Sequence, residues 1–167
     1  LRKDSKVLDD LIQDFCKYYE GHGCKEVHFY YDNTAVGGNA AKLESFADDV
    51  TAKLRANKWT VHRHHIGLQP KQHVRYRLWE IVLAEKDRRF KPVRFNHDNA
   101  EQLVSSMQLT GVIQTGEFFA KDKRPERQKK VAPEDAPHLG DAFETLYIGR
   151  FKEEYGYNDT LSELIIV

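Results

Sequence analysis

Residues Lys25 to Asp32, reading KEVHFYYD and running into NTAVGG, constrain the fold more than any other stretch. Val27, Phe29, Tyr30 and Tyr31 crowd into five positions, an acid follows, and then a polar, glycine-containing loop. That profile predicts a buried strand that delivers a carboxylate to the carboxyl end of a sheet, where open α/β folds keep their ligands. Such a strand needs helices beside it, and the flanking sequence supplies them. Val7, Leu8, Leu11, Ile12, Phe15, Tyr18 and Tyr19 recur at helical spacing before the strand, behind a cap at Asp4 or Ser5. Leu43, Phe46, Ala47, Val50 and Leu54 recur after it, behind a cap at Asn39 and ahead of a stop at Asn57.

The alternation continues. Trp59 to Ile66 reads as a strand, Lys71 to Lys86 as a helix and Val93 to Phe95 as a short strand. Asp98 with Glu101 makes a capping box for a helix carrying Leu103, Val104 and Met107. Helices and strands in turn predict a sheet covered on both faces. The rhythm then changes to a hairpin, Val112–Gln114 and Glu117–Ala120 about Thr115-Gly116, and to a final helix over Leu139–Ile148. A length of 167 residues suits a single domain (1–167), with the hairpin and a basic arm (112–130) inside it. The tail ending LSELIIV reads equally as strand or helical turn.

Composition excludes little. Charged residues make up 31% and hydrophobic ones 40%, the balance of an ordinary globular protein, and formal net charge is zero. Cys16 and Cys24 are too few for a zinc site, and no apolar run approaches the roughly 20 residues of a membrane span, so no membrane partner is expected. Any affinity for nucleic acid must therefore come from local charge. The segment KDKRPERQKK, residues 121–130, has six basic and two acidic side chains, which suits phosphate contacts as well as a solvated loop. Arg75, Arg77, Arg88 and Arg89 add positive charge that helical acids partly neutralise.

Two acids stand out. Asp32 ends the first strand, where a rigid backbone suits the oxygen geometry of Mg²⁺ or Mn²⁺ and Asn33 and Thr34 can hydrogen-bond; it serves equally well as a turn cap. Asp141 opens the last helix, at the margin of an apolar face of Leu139, Ala142, Phe143 and Leu146, and in the turn where the dipole favours an anion. The two acids are expected to meet. His138 is a candidate donor to Asp141 or a helix cap, and Glu144, one turn on, either approaches the same ion or is solvated. His62 and His64 share a strand face from which His65 points away, which is no closed zinc set.

HFYYDNTA, NHDNAEQLVSSM and FFAKDKRPERQKKVAPEDAPHLGDAFETLYIG, in that order and spacing, resemble the C-terminal nuclease domain of tailed-phage (or prophage) large terminase subunits over roughly residues 5–150. The resemblance implies an RNase H-like mixed sheet and a divalent-metal-dependent endonuclease that cuts concatemeric viral double-stranded DNA during genome packaging. It makes Asp32 the second metal acid and Asp141 the last, with two Mg²⁺ or Mn²⁺ ions in the complete domain. Lys121, Lys123, Arg124, Lys129 and Lys130 become the expected DNA contacts. The implied partners are the terminase ATPase domain of the parent chain, the portal and the small terminase subunit, in the cytoplasm of a bacterial host at the packaging motor. The family's first acid lies on a strand upstream of the first helix, and the sequence has no GxxxxGK[ST] loop of an ATPase motor. The expectation is therefore a fragment lacking its N-terminal strands, incomplete as a nuclease. The alternatives are a resolvase or transposase-type nuclease of the same fold, and a non-catalytic DNA or portal docking module.

Overall fold

The computed structural model describes residues 8–37, 44–116, 118–124 and 137–151, as a mixed α/β chain in two compact units, Leu1–Gln69 and Pro70–Val167. The described residues form five helices and two two-stranded sheets.

In the first unit, α1 (Leu8–Tyr18) leads to β1 (Glu26–Tyr31), α2 (Phe46–Ala56) and β2 (Thr60–His65). β1 and β2 pair in parallel, with Val27 opposite Val61 and Tyr31 opposite His65. The pleat sends Val27, Phe29 and Val61 to one face, where they pack with Ile12, Phe15, Val50, Leu54 and Trp59 of the helices and the strand entry. Burying each large apolar side chain there contributes roughly 1.5–3 kcal/mol. Among the described residues, α1 and α2 pack on this face. On the opposite face His28 stacks between His62 and His64, at 4.8 and 5.0 Å between ring centroids, and Tyr30 stacks on His64.

Several expectations change here. Among the described residues β1 pairs with β2 alone. Asp4, Ser5 and Asn39, assigned as helix caps, lie outside the described residues. The observed cap of α2 is Ser45, whose hydroxyl accepts from the Asp48 backbone N–H while the Asp48 carboxylate accepts from Ser45. This reciprocal box satisfies donors that a helix start otherwise leaves unpaired.

The second unit holds α3 (Gln72–Leu83), α4 (His97–Leu109), the antiparallel hairpin of β3 (Val112–Thr115) and β4 (Phe118–Lys121), and α5 (His138–Phe151). Leu78, Trp79 and Val82 of α3 are buried, as are Tyr147 and Ile148 of α5. Trp79 stacks against Phe143 and Tyr147 at 5.3 and 5.0 Å. At Gly140 α5 approaches α4 closely: a Cβ there would stand 3.7 Å from Met107. The hairpin turns at Gly116, with φ of 63°, a conformation that glycine adopts without strain.

Val93–Phe95 is not a strand. This stretch is tied to α5 instead, since the Tyr147 hydroxyl donates to the Lys91 carbonyl and Phe95 packs on Phe143. The cap of α4 is Asn96, whose side chain accepts from the N–H groups of Asp98 and Asn99, and Asp98 falls in the first turn. The buried face of α5 also differs from the expected one. Ala142 and Leu146 are exposed, and the inward positions are Gly140, Glu144, Tyr147 and Ile148.

Candidate functional site

That rotation of α5 places a carboxylate inside the second unit. Glu144 is 4% exposed, which corrects the solvated reading of this residue. A buried anion needs a counter-charge, and α3 provides one: Arg75, itself buried, donates to Glu144 at 2.7 Å. Arg75 is thus an internal residue and adds nothing to a phosphate-binding surface. Asp141, three residues before Glu144, faces the same stripe of the helix.

The end of the hairpin joins the two acids. The Lys121 ammonium donates to Asp141 at 2.8 Å and to Glu144 at 2.5 Å, and Lys123 donates to the other Asp141 oxygen at 2.9 Å. Lys121 is held in register by its own backbone N–H, which donates to the Gln72 side chain at the start of α3. The cluster therefore joins α3, β4 and α5 through two carboxylates and three cations. Burial works against ionisation of Asp141, but the hydrogen bonds from Lys121 and Lys123 outweigh it and hold its carboxyl below the ordinary range.

This direction gives a pH test. A carboxylate whose pKa is depressed by folding stabilises the fold above its unfolded value, near 3.9, and that contribution disappears as pH falls through the lower folded value. Urea midpoints of wild type and Asp141→Asn, measured from pH 6 to pH 2, are expected to converge below about pH 4. A constant difference across that range would show that Asp141 ionisation contributes nothing.

Asp32 sits in the first unit, half-buried, at the end of β1. It caps a single 3-10 turn, Asn33–Ala35, accepting from the Thr34 N–H at 2.9 Å and the Thr34 hydroxyl at 2.5 Å. Gln69 donates to its second oxygen at 3.1 Å. Thr34 thus assists Asp32 as expected, whereas Asn33 accepts from His65 at 2.8 Å. The turn is braced by the Asn33 N–H, which donates to the carbonyl of Gly67.

Other expected residues fall as follows. His138 is exposed at the first position of α5, and the Asp141 carboxylate is held by lysines of the hairpin side. Arg124 forks onto Asp122, whose carboxyl it holds at about 2. Lys129 and Lys130 lie outside the described residues, as does the tail ending LSELIIV.

The donor chemistry of Asp141 and Glu144 fits a hard divalent ion, since one ammonium already bridges the two carboxylates at hydrogen-bond distance. Among the described residues, no three His, Cys, Asp or Glu side chains gather into a group able to hold a metal. No described helix is long and apolar enough to cross a membrane. Sequence reasoning singled out Asp141 as a metal acid and Lys121 and Lys123 as DNA contacts without placing the lysines on Asp141, and it missed Arg75 as the partner of Glu144, because a helical arginine reads as solvated until the opposing acid is located in space. Comparison with family models, with curated proteins and with solved structures returns no match for this chain.

Proposed function

We propose that this chain is part of a divalent-metal-dependent endonuclease acting on double-stranded DNA, with an RNase H-like fold of the terminase kind. The observation that carries the reading is the cluster at the start of α5, where Asp141 and Glu144 converge on one cation from the hairpin. The ordered sequence resemblance of HFYYDNTA, the KDK segment and HLGDAFETLYIG supports it, because Lys121, Lys123, Asp141 and Glu144 come from those last two segments.

Asp141 and Glu144 would hold the ion; Asp32, fixed by Thr34 and Gln69 in the first unit, is the further metal acid that the sequence resemblance implies. Bound Mg²⁺ or Mn²⁺ provides Lewis-acid activation of water and neutralises charge on the leaving oxygen. The protein's own work is positional. Arg75 holds the buried Glu144 carboxylate in place at 2.7 Å. Lys121 and Lys123 concentrate positive charge beside the acids, where a phosphodiester must lie, and contact backbone without reading bases. The domain would work beside a terminase ATPase motor, with the portal and small subunit as partners at the packaging motor in the host cytoplasm.

One observation favours a second reading. The two acids are already neutralised by three cations, and no group of three metal ligands is gathered among the described residues. Such a network suits a non-catalytic DNA or portal docking module, in which the lysines hold phosphate and the acids are structural.

Supercoiled plasmid separates the two. The chain and a version extended upstream in its reading frame are incubated with Mn²⁺ or Mg²⁺, with and without EDTA. Cutting is expected in metal only and more strongly with the extended chain, which adds the strand that the resemblance places upstream. DNA binding with no metal-dependent cutting by either folded protein would establish the docking module instead.

A further inference from the structure

The chain leaves α3 through a basic loop that takes no part in the acid cluster. Residues 85–94, reading EKDRRFKPVR, carry five basic and two acidic side chains. Both acids are committed inside the loop: Arg89 forks onto Asp87, and Arg94 pairs with Glu85 at 2.6 Å. Lys86, Arg88 and Lys91, all exposed, make up the surplus of three positive charges. The side chains of Lys86 and Arg88 form no ion pair among the described residues.

The loop backbone is fixed at its ends and its centre. Glu85 turns the chain out of α3 at a φ of 52°, a region few residues other than glycine adopt. The Asp87 side chain accepts from the Arg89 N–H at 2.9 Å, and the Asp87 carbonyl accepts from the Phe90 N–H. Phe90 is buried, and the Lys91 carbonyl accepts from the Tyr147 hydroxyl. Cations carried on a backbone already ordered give up less freedom when they meet a partner.

Their position matters too. Lys86 and Lys121 border the same cavity, so the loop and the hairpin present cations on one side of α3. Lys121 is tied to Gln72 at the start of that helix and Lys86 follows its end, a separation of roughly 18 Å along the axis at 1.5 Å per residue. Glu80, between them, is already paired with Arg77. One turn of duplex DNA is longer, at roughly 34 Å, so a single duplex can touch both ends.

We propose that Lys86, Arg88 and Lys91 form a second phosphate-contacting surface, which holds the backbone of double-stranded DNA at the end of α3 opposite the hairpin. The choice of DNA as the polyanion rests on the nucleic-acid reading above, and the proposal extends it. Lys121 and Lys123 are set against carboxylates, whereas Lys86 and Arg88 keep their charge for a partner. The contact reads no bases.

Fluorescence anisotropy in EDTA tests this without any cutting, with the whole chain and two labelled duplexes of unrelated sequence, between roughly 50 and 200 mM salt. Lys86→Gln with Arg88→Gln is expected to weaken binding of both duplexes alike, at least about tenfold at the lowest salt, and to lower the salt slope by about 2. Lys17→Gln with Arg55→Gln removes two exposed cations from α1 and α2 and is expected to leave the slope unchanged. An unchanged slope in the loop variant, an equal loss in the control variant, or no duplex binding by the folded chain overturns the proposal. The expected slope change in a protein whose extended form never cuts DNA would sink the nuclease reading alone. Metal-dependent cutting with an unchanged slope would sink the loop proposal alone.

Discussion

Glu144→Gln is expected to lower the unfolding free energy of the second unit by about 3–5 kcal/mol, the cost of stranding one partner of a buried ion pair. Arg75 is 8% exposed, so losing the carboxylate 2.7 Å away leaves a buried guanidinium with the Asp141 carboxylate at 3.7 Å. Lys121 loses one of its two carboxylates in the same step, but it is less deeply buried and retains Asp141. The pair itself is not expected to be worth that much. Replacing both members by apolar residues of similar size, Arg75→Met with Glu144→Leu, is expected to recover most of the loss, because no isolated charge remains. Urea denaturation of the two variants, followed by far-ultraviolet circular dichroism, measures both quantities. A loss below about 1 kcal/mol in Glu144→Gln would place this pair among solvated ones.

Much of the local structure is legible in the sequence, because it is set by neighbouring residues. The apolar crowding of Val27 to Tyr31 marks β1, helical spacing marks α1 to α3, and Thr115-Gly116 marks the hairpin turn. Asn57 ends α2 as its spacing implies. What is illegible depends on partners far along the chain. Glu144 reads from the sequence either as approaching the Asp141 site or as solvated, and Arg75, 69 residues away, together with Lys121 makes its burial tolerable. Projection also put Leu146 inward, since hydropathy has no means of counting a distant guanidinium. Val93–Phe95 has strand composition, yet it lies along α5, held by the Tyr147 hydroxyl on Lys91 and by Phe95 packed on Phe143. At α4 two acceptors compete within three residues, and the structure selects Asn96 over Asp98. For β1, the run of apolar residues reports burial on one face and packing rings on the other, and neither specifies how many strands flank it.

The second large effect is catalytic. Asp141→Asn retains the size of the side chain at the start of α5 but removes its charge and leaves one acceptor oxygen where Lys121 and Lys123 use two, and on the proposed reading a divalent ion would lose an anionic ligand. Cutting is expected to fall at least about a thousandfold, the scale on which a positioned electrostatic contribution in a catalytic site is lost. The fold is expected to survive, because Asp141 is 24% exposed at its side chain and Arg75 still has Glu144. Asp32→Asn is expected to act alike, with its turn still capped through Thr34.

The decisive measurement is the rate at which the upstream-extended chain nicks supercoiled plasmid in Mn²⁺, compared among wild type, Asp32→Asn and Asp141→Asn, with circular dichroism confirming that each is folded. The account predicts EDTA-sensitive nicking by wild type and none above background by either variant. Nicking that persists at the wild-type rate in Asp141→Asn, or its absence from folded wild type, would contradict the assignment of this acid cluster as a cutting site.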